Sequence, residues 1–233
     1  LIEDARERAV HYTEALPNFL CLQIINRSVD PSAMGRWKLK DTIVEVLRYR
    51  DKQETRTTLE INGKPASVGH EGLQGSISQG EFGGVLRAVF SASSMANFRW
   101  KETAELNGGT VQVFDYSVAK AHSMFGVVGT DGRELTVGFH GQIYVESATR
   151  SVRRISMIAD LPENFSTHTS SISVDYGYVS INDHDYLLPV AAEMRLVKGK
   201  HNAVLNTIEF RNYKRFGSNL RIVDFKPVDE KQK

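Results

Sequence analysis

The chain has 233 residues, with 29 Lys and Arg against 28 Asp and Glu, for a formal net charge of +1 at pH 7. Its 41% hydrophobic and 24% charged residues are the balance of a packed globule, which argues against disorder and gives no global field for nucleic acid or an anionic membrane. The single cysteine, Cys21, excludes a disulfide within the chain, and the longest apolar runs fall far short of the ~18 residues that span a bilayer.

In chain order, residues 1–16 predict a helix. Ile2, Ala5, Ala9, Tyr12 and Leu16 recur on one apolar stripe, charges fill the other face, and Pro17 ends the helix because it lacks an amide proton. Residues 19–28, 37–51 and 54–61 follow as strands rich in β-branched residues, and Asn62-Gly63 is a tight-hairpin dipeptide. Residues 69–84 hold six of the 18 glycines, which predicts a mobile loop. A helix over 80–92 is expected next, with Ser78 and Glu81 as its capping box. Phe82, Val85, Leu86, Val89 and Phe90 form its apolar face. Behind a glycine-rich loop, such a face fits either a lid over an apolar cavity or a plug at one end of a barrel.

From residue 97 the chain reads as strand after strand, over 97–105, 110–118, 122–129, 134–146, 151–159, 171–182, 186–198, 202–214 and 219–225. Turn signals stand between them at Asn107-Gly108-Gly109, Asp131-Gly132, Asn182-Asp183 and Lys198-Gly199-Lys200. Residues 226–233 form a polar tail expected to fray. The sum is one domain over 1–233, mainly β (α+β). It is a large curved antiparallel sheet, a barrel or half-barrel, with an N-terminal helix and an inserted helix within 69–92. The chain begins at Leu1 rather than Met, as a trimmed start would, and a signal segment could have gone with it.

No spacing of residues calls for a particular chemistry. The seven histidines lack metal-ligand spacing, and there is no HExxH, GxSxG, dinucleotide fingerprint or phosphate loop. No catalytic, cofactor-binding or metal-ligating residue is therefore assigned, and no cofactor is expected. Asp183-His184-Asp185 reads as a solvated turn or a weak proton-transfer or metal site, and His70-Glu71 as one uninformative pair. Asn26-Arg27-Ser28 and Asn164-Phe165-Ser166 match the glycosylation pattern by spacing alone. Tyr176 and Tyr178 share a strand face and could pack in the core or stack on a ligand. Cys21, inside Phe19-Leu20-Cys21-Leu22, reads as a small buried hydrophobe.

One hairpin is more specific. Residues Gly138 to Glu146 (GFHGQIYVE), then Thr149 and Val152-Arg153-Arg154-Ile155, resemble a recurring element of the lipoprotein-carrier superfamily of LolA, LolB, LppX and RseB. Val174-Asp175-Tyr176-Gly177, Tyr186-Leu187-Leu188-Pro189 and Ile208 to Tyr213 (IEFRNY) are similar to segments of uncharacterised exported bacterial proteins near that superfamily, of acidobacterial type. The resemblance implies a half-barrel with a helical lid and a periplasmic or otherwise exported location; with no catalytic motif in the chain, no enzymatic activity is expected. It implies an apolar partner, a lipid or lipoprotein acyl chain, with Phe82, Val85, Leu86, Val89 and Phe90 at the cavity or lid. The alternative it allows is a protein-interaction or sensor module with a protein partner and no small ligand. An enzyme using His184 or His70 is the third reading. Neither nucleic acid nor a transmembrane segment is expected.

Overall fold

A computed structural model describes residues 1–66, 69–73, 82–199 and 201–216. Helix α1 spans Ile2–Ala15. Four strands follow: β1 (Phe19–Asp30), β2 (Lys38–Arg50), β3 (Gln53–Ile61) and β4 (Lys64–Pro65). A short 3-10 turn at His70–Gly72 precedes helix α2 (Gly84–Phe90). Then come β5 (Asn97–Leu106), β6 (Gly109–Val118), β7 (Gly126–Val128), β8 (Glu134–Thr136), β9 (Phe139–Glu146) and β10 (Val152–Ala159). The chain continues through β11 (Thr167–Ile181), β12 (His184–Lys198) and β13 (Ala203–Arg215).

Among the described residues, eleven strands form one open antiparallel sheet in the order β4-β3-β2-β1-β13-β12-β11-β10-β9-β6-β5, and β7 and β8 form a separate hairpin. The tight turns carry positive φ where their residues tolerate it: Asn62 and Gly63 at 53° and 70°, Asn107 and Gly108 at 51° and 79°. Both dipeptides thus act as the hairpin turns their sequences predict. Asp51 and Lys52, at 52° and 65°, make a third such turn without a glycine signal.

Strand periodicity sorts the side chains. On one face, Phe19, Cys21 and Ile25 of β1 stand beside Tyr49, Leu47 and Ile43 of β2. With Ile143, Ile155, Val174, Tyr176, Leu188 and Ile208 they form the main core, and both helices pack on this face. α1 contributes Ala5, Ala9 and Tyr12, three of the five stripe residues. On the other face of β1 and β2, Leu20, Leu22 and Val46 make a small second cluster with Phe216, so this part of the sheet is buried on both sides.

Several local expectations differ from the structure. The second helix is shorter than 80–92. It begins after Gly83, which takes the left-handed conformation (φ 103°) and has no side-chain cap; the expected capping residues Ser78 and Glu81, and the strand expected over 219–225, lie outside the described residues. The segment 122–129 is mostly loop, with a 3-10 turn at Lys120–His122 and only Gly126–Val128 as strand. The run 134–146 is split between β8 and β9, where the chain passes from the small hairpin to the large sheet.

Candidate functional site

The five apolar residues expected at a cavity or lid are all buried on the helix-bearing face, from 0% to 4% exposed. Phe82, just before α2, sits in an aromatic group with Phe19 (5.5 Å between centroids), Tyr49 (6.4 Å) and Phe210 (5.2 Å, edge to face at 86°). At the other end of α2, Phe90 stacks on Phe98 of β5 at 5.6 Å. The helix thus lies across the sheet from the β1–β13 centre to the β5 edge. Val85, Leu86 and Val89 join the same core between these anchors. Burial of each such large side chain is worth about 1.5–3 kcal/mol.

Beside α2 a cleft of about 350 Å³ remains open. One wall is the α1 stripe (Ala5, Ala9, Tyr12) with Leu16; Leu86, Val152 and Leu187 make the apolar remainder, and Arg8, His11 and Asp185 stand among its polar lining residues. Tyr178, 46% exposed, lines it too, its ring under the Arg153 guanidinium at 5.2 Å and its hydroxyl 3.1 Å from the Ser151 hydroxyl. Tyr176 is core: it is 1% exposed and meets Tyr12 edge to face at 5.8 Å. The two tyrosines of one strand face therefore separate, one inside and one at the cleft.

Burial raises the phenols of Tyr12 and Tyr213 well above their ordinary value, and it raises the thiol of Cys21 as well. The Tyr12 hydroxyl is buried without a described hydrogen-bond partner.

The same sheet face carries a polar band that was not anticipated. Glu45, fully buried, is paired across the ladder with Gln23 and Thr58. It accepts a hydrogen bond from the Thr58 hydroxyl at 2.8 Å and faces Nδ1 of His70 at 3.0 and 3.1 Å. Further along, the Arg27 guanidinium donates twice to Asp41, 2.6 Å each, with both residues under 10% exposed. Buried charges persist when paired and hydrogen-bonded. The signal was present in the sequence: in Asp41-Thr42-Ile43-Val44-Glu45-Val46-Leu47, two carboxylates occupy the same strand parity as Ile43 and Leu47.

His184 lies at the β11–β12 turn, where its ring nitrogen meets the Asn182 carbonyl at 3.0 Å; Asp183 and Asp185 beside it are exposed. His70 turns to Glu45, not to a second histidine. Among the described residues, no group of three or more His, Cys, Asp or Glu is placed to hold a metal ion.

No protein-family model matches the chain, and no curated protein matches it. Solved structures do. A LolA superfamily protein from Nitrosomonas europaea is 10% identical with a TM-score of 0.40, the match covering 97% of each chain. A DUF1329 family protein from Desulfovibrio piger is 9% identical with a TM-score of 0.41, again over 97% of each chain. A structure of the Pseudomonas aeruginosa MucA/MucB complex is 9% identical with a TM-score of 0.28, over 91% of this chain and 94% of the other. At such identities and scores the likeness assigns no activity, and the functional reading rests on this chain's own cleft.

Proposed function

We propose that the chain is a non-enzymatic binding protein for an apolar ligand, a lipid or acyl chain, held between the helices and the sheet, and that it works in the periplasm or otherwise outside the cytoplasm. The observation that carries the reading is the cleft beside Leu86. Its volume of about 350 Å³ falls at the lower end of ligand pockets, which are typically about 300–1,000 Å³ and apolar with a few polar groups for orientation. An acyl chain there gains about 0.8 kcal/mol per buried methylene, and Arg8 and His11 suit an anionic or hydrogen-bonding headgroup.

In this form Phe82, Val85, Leu86, Val89 and Phe90 occupy the space that a longer chain would need. Deeper entry therefore requires α2 to move as a lid, exposing the face made by these five residues. No described helix is long and apolar enough to cross a membrane, so access to a bilayer interior would use the cleft and not an anchor helix within the described residues.

The test is native mass spectrometry of detergent-free protein, followed by solvent extraction and lipid analysis. The expected result is a reproducible excess mass that is lost in Leu187→Trp, which fills the cleft from a half-buried position, while the circular dichroism spectrum is retained. A clean apo mass that gains nothing on incubation with fatty acids or phospholipids would overturn the reading.

A further inference from the structure

The two ends of the sheet are unlike each other. One is β4, only two residues long. The other is β5, ten residues long and largely exposed, and no described strand pairs with its outer edge. A long free edge offers unpaired N–H and C=O groups to another strand.

The charges of β5 are divided along its length. Arg99 and Lys101 lie in its first half, Glu102 and Glu105 in its second. Pairing with β6 settles the faces. Phe98 and Trp100 stand opposite Tyr116 and Phe114 on the side of the main core, while Arg99 stands opposite Asp115 and Glu102 opposite Val113 on the other side. A shift in register at Lys101 keeps Arg99 and Glu102 on that same outer face. Charged edges usually repel a partner strand, but this one is complementary to itself when reversed. A second β5 running antiparallel brings Arg99 and Lys101 of one strand alongside Glu102 of the other, and two-fold symmetry repeats the contact.

We propose that β5 is a homodimer interface, joining two copies edge to edge into one continuous antiparallel sheet. The register shift at Lys101 interrupts the ladder, and a single strand edge buries less than the about 800 Å² per partner of a standard stable interface. The dimer is therefore weak and concentration-dependent. The inference is independent of the ligand reading, because the cleft and the edge share no residue.

The experiment is analytical ultracentrifugation of the full chain over a concentration series up to the solubility limit, for the 26.1 kDa protomer. The wild type is expected to shift reversibly towards twice that mass. Arg99→Glu/Lys101→Glu makes the outer face of the strand uniformly acidic, and Glu102→Lys makes it uniformly basic. Each variant alone should weaken self-association at least about fivefold, and an equimolar mixture should form the heterodimer more strongly than either forms its own dimer. Circular dichroism and thermal unfolding confirm that both exposed-site variants stay folded. A wild type monomeric at every concentration, or a dimer indifferent to all three charges, would overturn the proposal.

Discussion

The phenol of Tyr116 passes beside Gly141 to donate a 2.7 Å hydrogen bond to the Ser156 carbonyl. A Cβ at Gly141 would lie 1.9 Å from that carbonyl oxygen and 3.1 Å from the Tyr116 ring. The missing side chain is thus what lets β6 reach across β9 to β10, and the Ser156 hydroxyl meets the Gln142 amide at 3.0 Å in the same place. Gly141→Ala is expected to destabilise the fold by about 2 kcal/mol or more, since a backbone atom must shift. Tyr116→Phe should cost about 1 kcal/mol, the value of one hydrogen bond. Urea unfolding measures both; an unchanged midpoint for Gly141→Ala would mean that β9 and β10 part without cost.

The Arg27–Asp41 pair predicts a characteristic non-additivity. Asp41→Ala removes both carboxylate bonds of the buried Arg27 guanidinium, and should destabilise by about 3–5 kcal/mol. Arg27→Met combined with Asp41→Leu should cost less than either single loss of charge, because both charges leave the buried site together. A double-mutant cycle in denaturant decides; additive effects would show that the ion pair is not a unit.

The turn after β1 is organised by Asp30. The Ser32 hydroxyl, and with it the amides of Arg36, Ser32 and Gly35, hold its carboxyl down to about 2, against the opposing pull of burial. A depressed carboxylate stabilises the fold above its unfolded pKa, near 4, and the contribution fades as pH falls through the folded value. Wild type should therefore be more stable than Asp30→Asn at neutral pH, with the gap closing between about pH 4 and pH 2. Thermal unfolding of both proteins across that range is the measurement, and a gap that widens with acid would contradict the assignment.

Cys21 reports on the core beneath α2. It is fully buried in the cluster that includes Phe82 and Leu86, and burial raises its thiol, so a thiol reagent should reach it only through opening. If α2 moves as a lid, labelling should outpace global unfolding and rise at least about tenfold in Leu86→Ala, which opens a cavity in the packed face. If α2 is a plug, labelling in the wild type should match the global unfolding rate.

Features local in the chain were legible from residues alone. The α1 stripe, the stop at Pro17 and the Asn62-Gly63 and Asn107-Gly108 turns depend on contacts within a few positions. The sheet order was not legible. β1 beside β13, and β6 beside β9 across the β7–β8 hairpin, are pairings between distant segments with no local signature. The cleft was half legible: its α1 wall follows from Ala5, Ala9 and Tyr12, but Val152 of β10 and Leu187 of β12 join it only because α1 lies against strands far along the chain. The Glu45–His70 contact was hidden because a residue from a glycine-rich segment meets a strand 25 positions earlier.

The placement of β13 between β1 and β12 has a consequence for how the molecule is made. Strand β1 must wait for β13, and until residues 203–215 arrive the described strands can form only two half-sheets, β4 to β1 and β12 to β5. Closing that gap is a single late event of very high sequence separation, the slowest kind of contact to form. Synthesis of β1 and completion of the sheet are thereby separated in time by most of the residues between Phe19 and Arg215.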